Sequence, residues 1–118
     1  EMIKTILEDV ADNLFNKDPF YQQGGDMVRV GGLRYAIDPT RDIGERITAM
    51  ELDGKPIDPN GTYVVAGWAS VQEQPMGDTG RKIWDVVADY LRDHQTVRIT
   101  DLNEPVLKGV DGNPGIAA

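Results

Sequence analysis

An apolar stripe at the start of the chain constrains the fold more than any other feature of this sequence. Its side chains recur with the spacing of one helix face: Ile3, Ile6, Leu7, Val10, Ala11 and Leu14. An amphipathic helix buries such a stripe against another element, so a packed domain is expected. No Ser, Thr, Asp or Asn precedes the stripe as an N-cap, and we therefore expect the chain to belong to a longer protein.

Strand patterns follow this helix. Alternating apolar residues predict strands at residues 27–30, 33–37 and 47–52. Asp53-Gly54 is a strong signal for a type I′ hairpin, and the sequence DPNG at residues 58–61 predicts a second turn. The continuous apolar run at residues 62–66 predicts a central strand covered on both faces.

A second helix is predicted near the end of the chain. Its apolar stripe contains Ile83, Val87, Tyr90, Leu91 and His94, with Asp78 or Thr79 as the N-cap. Residues 97–99 predict a last short strand. We therefore predict an α+β domain over residues 1–102, with two main helices packed on a mostly antiparallel or mixed sheet, followed by an irregular surface tail at residues 103–118.

The charge balance excludes several functions. Twelve basic and 20 acidic residues give a net charge of −8, whereas non-specific binding to nucleic acid or to an anionic membrane needs an excess of Lys and Arg. The sequence has no Cys and a single His, His94, which excludes disulfides and a multi-histidine metal centre. No apolar run approaches the roughly 18 residues of a membrane span. We expect no nucleic-acid or membrane partner, and no cofactor or metal ligand within this chain.

Arginines are concentrated in residues 26–46. This neutral window holds four basic and four acidic side chains: Arg29, Arg34, Arg41, Arg46, Asp26, Asp38, Asp42 and Glu45. Guanidinium groups suit bidentate binding of oxyanions, which would make the window an anion-facing edge. The alternative is that these arginines pair with the neighbouring acids on a solvated face. Because surface ion pairs are common and weak, the charges alone favour this alternative.

Two stretches carry a family resemblance. Residues 25–35 (GDMVRVGGLRY) and 54–66 (GKPIDPNGTYVVA) resemble the C-terminal domain of the 5′-nucleotidase family. Residues 10–16 (VADNLFN) and 21–32 (YQQGGDMVRVGG) are similar, more specifically, to the SoxB thiosulfohydrolases of the bacterial sulfur-oxidation pathway. The resemblance extends from the first helix to about Ile99.

The resemblance implies a two-domain metallohydrolase. In this family a separate N-terminal domain holds a two-metal centre, with manganese in the SoxB proteins, and the C-terminal domain closes over it and contacts the substrate. The implied substrate is a sulfonate carried on a cysteine of the SoxYZ carrier protein, released as sulfate in the periplasm. The expected partners are therefore the N-terminal catalytic domain of the same protein, with two manganese ions, and the SoxYZ carrier. The present chain alone is expected to be inactive.

The sequence departs from the nucleotidases at their base-binding positions. In nucleotidases one aromatic residue lies in the strand that matches residues 27–30, and another lies in a Gly-Gly-Asp-Gly-aromatic loop. Here the first position is Met27, and residues 71–78 contain no aromatic side chain. A base without such stacking loses about 1–3 kcal/mol, which disfavours a nucleotide and favours a small sulfonate on a protein arm. Met27 and Met76 equally suit gap-filling in a core.

The resemblance and the residue chemistry together define a candidate surface that faces substrate or carrier. No residue of this chain is predicted to be catalytic. Two alternatives remain: the C-terminal domain of a 5′-nucleotidase or related phosphoesterase, and a non-catalytic docking module whose contact surface is residues 24–32 and 72–80. The candidate residues are Met27, Arg29, Gly31, Gly32, Arg34, Trp68, Gln72, Gln74, Met76 and Asp78.

Overall fold

The computed structural model describes residues 1–66 and 81–112. Within them, residues 1–65 and 103–112 belong to one compact unit, and residues 66 and 81–102 belong to a second. Among the described residues, the first unit contains one long helix, a single 3₁₀ turn and four strands, and the second contains one helix. In chain order these are α1 (Met2–Phe15), the 3₁₀ turn (Pro19–Tyr21), β1 (Leu33–Ile37), β2 (Ile47–Leu52), β3 (Lys55–Pro56), α2 (Ile83–His94) and β4 (Val106–Leu107).

The strands of the first unit form a mixed sheet with the order β3-β2-β1-β4. β1 pairs antiparallel with β2, in a register that places Leu33 opposite Leu52 and Ile37 opposite Ile47. β2 returns into β3 through Asp53 and Gly54, whose φ angles of 50° and 74° are those of the predicted type I′ turn. Two helices and a mixed sheet confirm the predicted α+β class.

The core of the first unit lies between α1 and the two long strands. Leu7 and Ala11 from the predicted helix stripe pack with side chains of β1 and with Ile47. Burying a leucine side chain stabilises the fold by about 1.5–3 kcal/mol, so this contact helps to hold α1 on the sheet. The buried apolar residues of the cluster are Leu7, Ala11, Leu33, Tyr35, Ile37 and Ile47.

Three predicted strands are wrong. Residues 27–30, 62–66 and 97–99 have no strand structure. Val64 is fully exposed and Val65 is 73% exposed, so the run 62–66 is not a central strand. The apolar pattern was correct for Met27 and Val30, which pack half-buried against the core, but they do so without a strand partner. A strand forms where its backbone N–H and C=O groups can pair with the free edge of another strand, and an apolar run by itself does not provide that edge.

The edge of β1 is occupied by the end of the chain instead. Val106 and Leu107 pair parallel with Ala36 and Ile37, and the backbone N–H of Lys108 donates to the carbonyl of Ile37 at 2.9 Å. The expectation of an irregular surface tail from residue 103 is therefore wrong at β4. The short strand contributes backbone hydrogen bonds to the sheet although both of its side chains are exposed.

The second unit is described by its helix. α2 begins after Lys82, which is the N-cap and makes no side-chain capping bond. The predicted cap at Asp78 or Thr79 is therefore wrong. His94 is the last helical residue, as the sequence indicated. Its imidazole ring stacks on the ring of Tyr90, and its Nδ1 lies 2.9 Å from the carbonyl oxygen of that tyrosine. Neither described helix is long and apolar enough to cross a bilayer.

Candidate functional site

Four of the candidate residues lie in one connected stretch, here called the 22–32 segment. Its start is fixed to the end of α1, because the side-chain amide of Gln22 donates to the carbonyl of Asn16 at 2.7 Å and the N–H of Gly24 donates to the carbonyl of Asn13 at 3.0 Å. Its end is fixed to the β2–β3 hairpin by a 3.2 Å bond from the N–H of Asp53 to the carbonyl of Gly32. The segment is therefore an irregular loop held at both ends.

Glycines allow the chain to turn at both ends of the 22–32 segment. Gly24, Gly25 and Gly32 have φ angles of 81°, 106° and 77°, which residues with a Cβ rarely adopt. At Gly32 an added Cβ would lie 3.6 Å from Leu52 Cδ1, an ordinary contact. Backbone conformation, and not crowding, is the reason that the sequence has glycine there.

The middle of the segment alternates between the core and the surface. Met27 and Val30 are half-buried against the apolar core, whereas Val28 and Arg29 are exposed. Met27 therefore fills the core, as the packing alternative held. Arg29 is the charged side chain among residues 27–30, and it lies in solvent. Gly31 is exposed beside it.

The remaining candidates divide into two groups. Arg34 lies on β1, where its side chain is exposed and it is paired in register with Glu51 of β2. Trp68, Gln72, Gln74, Met76 and Asp78 lie outside the described residues. The structure therefore brings together Met27, Arg29, Gly31 and Gly32 in one loop, with Arg34 two residues further along the chain.

Two arginines of the neutral window are engaged in ion pairs. Arg41 contacts Asp38 at 3.4 Å, as the pairing alternative predicted. Arg46 is different, because its side chain is only 2% exposed and contacts Asp12 of α1, 34 residues away, at 2.7 Å. Its Nη2 also donates to the carbonyl of Phe15 at 3.3 Å. Arg46 therefore joins α1 to β2 and does not face an external anion.

Glu8 is a residue that the sequence analysis missed. Its carboxylate is buried, and it accepts backbone hydrogen bonds from Gly44 at 2.9 Å, Arg46 at 3.3 Å and Ile47 at 2.7 Å. A buried carboxylate is tolerated only when such bonds replace its hydration. No local pattern marked it, since a Glu on the polar side of a helix ordinarily lies in solvent.

The acidic groups of this unit have shifted pKa values where they meet donors. Hydrogen bonds from Arg46 and then Asn16 lower the pKa of Asp12. The hydroxyl of Thr40 is the main cause of the lowered pKa of Asp38, and Lys17, at 2.6 Å, lowers that of Asp42. Burial raises the pKa of Tyr35. All four shifts accompany structural contacts, and none lies in the 22–32 segment.

A groove of about 740 Å³ lies in the same unit, between the end of α1 and residues 107–112. Leu14, Phe15 and Gln22 form one side of it, and none of the described candidate residues lines it. Within residues 1–66 and 81–112, no group of three or more Asp, Glu, His or Cys side chains is arranged to hold a metal ion.

Comparison with known proteins assigns this fold to a family. Residues 1–79 match the model of the 5′-nucleotidase C-terminal domain, and the chain belongs to that family. Among solved structures it is similar to the sulfate thiohydrolase SoxB of Thermus thermophilus in complex with glycerol, at 40% sequence identity and a TM-score of 0.69. The match covers 92% of this chain and 21% of the SoxB chain, so this chain spans about a fifth of the length of that protein. A search of curated proteins found no match.

Proposed function

We propose that this chain is the substrate-binding C-terminal domain of a SoxB-like two-domain metallohydrolase. In the proposed reaction, the parent protein releases sulfate from a cysteine-linked thiosulfonate on a carrier protein of the SoxYZ kind, in the periplasm, during thiosulfate oxidation. The observation that carries the proposal is the 40% identity to SoxB over 92% of the chain.

The chemistry of the 22–32 segment supports a sulfonate better than a nucleotide. Met27 stands where a nucleotidase would place a stacking aromatic, and it packs half-buried against the core. Arg29 is exposed two residues further on, and a guanidinium binds the paired oxygens of a sulfonate or sulfate well. We therefore assign substrate or carrier contact to Arg29, with Gly31 and Gly32 allowing close approach to the backbone.

The catalytic centre is proposed to lie outside this chain. The described residues offer no ligand group for it, so we assign the dinuclear centre, with manganese as its metal, to the N-terminal domain of the parent protein. Such a centre supplies a metal-activated water and charge neutralisation at the electrophilic sulfur. The present chain contributes binding and orientation of the substrate arm.

The experiment uses the full-length protein. Manganese-loaded enzyme is given the thiosulfonated carrier, and released sulfate is measured, with AMP and release of phosphate as the matched comparison. Sulfate release that depends on manganese, together with slow or no AMP hydrolysis, is the expected result.

Each other outcome identifies a competing function. Efficient AMP hydrolysis without sulfate release would make the parent a nucleotidase. Carrier binding with no turnover of either substrate would make the domain a docking module only. Both results contradict the proposal.

A further inference from the structure

We propose that Asn60 is a site of spontaneous deamidation, and that the turn formed by residues 58–63 sets the rate of the reaction. The asparagines of the chain precede Leu, Lys, Gly, Glu and Pro in turn, and Asn60 is the one that precedes glycine. Gly61 has no side chain to keep its backbone nitrogen away from the neighbouring carboxamide, and asparagine is among the chemically labile residues. This chemistry is independent of the reaction catalysed by the parent protein.

The reaction needs solvent water and no oxidant or reductant. The backbone nitrogen of Gly61 loses its proton and attacks Cγ of Asn60, which forms a C–N bond and closes a cyclic succinimide. The bond from Cγ to the side-chain nitrogen breaks, and that nitrogen leaves as ammonia with the proton that Gly61 gave up. Water then opens the ring at either carbonyl carbon and yields aspartate or isoaspartate. Asn60 and Gly61 are both exposed, so water reaches them.

Hydrogen bonds within the turn restrain the attacking nitrogen. The N–H of Gly61 donates to the carbonyl of Asp58 at 3.0 Å, and the N–H of Asn60 donates to Asp58 Oδ1 at 2.9 Å. A hydrogen-bonded N–H gives up its proton less readily, and a closed turn limits rotation of the Asn60 backbone. Deamidation therefore requires the turn to open, and exposed turns with few buried contacts open at a small cost in free energy.

Tyr63 holds the same turn closed. Its hydroxyl accepts the N–H of Asp58 at 2.8 Å, and an added Cβ at Gly61 would lie 3.0 Å from Tyr63 Cε2 and Oη. Gly61 does not have a positive φ, so the ring of Tyr63, and not the backbone conformation, excludes a side chain at residue 61. The tyrosine that closes the turn therefore leaves room only for the glycine that makes Asn60 labile.

Deamidation would alter a wall of the neighbouring groove. Pro59, Gly61 and Tyr63 line a groove of about 460 Å³. An aspartate at residue 60 places a new negative charge beside Asp58, in a chain that already carries a net charge of −8, and isoaspartate adds a methylene to the backbone of the turn. Both products weaken the hydrogen bonds that close the turn.

The experiment follows deamidation in the full-length protein by peptide mass spectrometry, at mildly acidic and at mildly alkaline pH. We expect Asn60 to convert ahead of the other asparagines, and faster at alkaline pH, because the nitrogen of Gly61 must lose its proton. Asn60→Gln should abolish the converted species of this peptide. Conversion at Asn60 that is no faster than at the other asparagines, or that does not rise with pH, would overturn the assignment of the site.

Tyr63→Phe tests the restraint while it keeps the ring. Loss of one hydrogen bond should raise the rate of conversion at Asn60 about fivefold. Tyr21→Phe is the matched control, since Tyr21 is an exposed tyrosine on the 3₁₀ turn, and it should leave the rate unchanged. In urea, where the turn is lost, Asn60 should convert faster than in folded wild type.

The midpoint of thermal unfolding separates opening of the turn from a general loss of stability. Tyr63→Phe and Tyr21→Phe should both keep the wild-type midpoint. A wild-type rate in Tyr63→Phe, or equal rates in folded and urea-unfolded protein, would overturn the control by the turn. A faster rate in Tyr63→Phe together with a lowered midpoint would do the same, because global unfolding would then explain it.

Discussion

Arg46 Nη1 donates a 2.7 Å hydrogen bond to Asp12 Oδ1, and this pair joins the residue before β2 to the C-terminal half of α1. Arg46 is buried, while the side chain of Asp12 is 21% exposed. The carboxylate of Glu8, which is buried, holds the backbone on either side of the arginine. The contact between helix and sheet is therefore polar as well as apolar.

Replacing Arg46 should destabilise the first unit strongly. Arg46→Ala leaves the Asp12 carboxylate and the Phe15 carbonyl without their donor and opens a cavity, so we expect a loss of about 3 kcal/mol in the free energy of unfolding. The matched control is Arg41→Ala, whose exposed pair with Asp38 should contribute less than about 1 kcal/mol. Urea denaturation followed by circular dichroism measures both, and equal losses would contradict the structural role of Arg46.

Removing the Glu8 carboxylate should have a comparable effect. Glu8→Ala leaves three backbone N–H groups without an acceptor, and we expect it to lower the unfolding free energy by about 2–4 kcal/mol. Asp9→Ala, at the exposed next position of α1, should change stability by no more than about 0.5 kcal/mol. The prediction fails if the two variants unfold at the same urea concentration.

Stability should fall as the pH is lowered through the range in which Asp12 titrates. The pKa of Asp12 is lower in the folded chain than its ordinary value of 3.8, so the folded state binds fewer protons than the unfolded state. Its contribution is present above pH 3.8 and is lost as the pH falls through the depressed folded pKa. Asp38 and Asp42 act in the same direction.

Asp12→Asn provides the check on this pH dependence. The variant should be less stable than wild type at pH 7, and its stability should fall less steeply below pH 4 because one titrating carboxyl is gone. Thermal unfolding at a series of pH values measures the slope. An unchanged slope would show that Asp12 does not contribute.

The turn after β4 should not tolerate a side chain at Gly109. A Cβ there would lie 2.5 Å from Asp38 Oδ1, at a φ of +69°, and Asp38 is held in place by the hydroxyl and N–H of Thr40. We expect Gly109→Ala to cost about 2–4 kcal/mol, from backbone strain and crowding together.

Gly112→Ala is the control for backbone strain alone. Its φ is +78° and an added Cβ would meet no atom of residues 1–66 or 81–112 within 4 Å, so only about 1–2 kcal/mol is expected. The difference between the midpoints of thermal unfolding of Gly109→Ala and Gly112→Ala gives the steric part of the destabilisation. If Gly112→Ala lowers the midpoint as much as Gly109→Ala does, the contact with Asp38 does not contribute to the destabilisation.

Part of the candidate site could be read from the sequence. The motif around Arg29 and the glycines at residues 24, 25, 31 and 32 predicts a surface that contacts substrate or carrier, and the structure shows this stretch as an irregular loop. Its secondary structure was wrong, because apolar alternation at Met27 and Val30 reports burial and not strand pairing. Glu8 carried no local signal, since its backbone partners lie 36 to 39 residues further along the chain.

Local patterns determined α1, the strands β1 and β2, and the Asp53-Gly54 turn, because the forces that specify them act within a few residues. Tertiary structure decided which segment pairs with β1, and it chose Val106–Leu107 over the more apolar run at residues 62–66. It also decided that Arg46 is buried against Asp12, a contact that spans 34 residues. Strand edges and buried charges obtain their hydrogen-bond and ion-pair partners only when distant parts of the chain come into contact. Neither apolar periodicity nor charge spacing predicts those contacts.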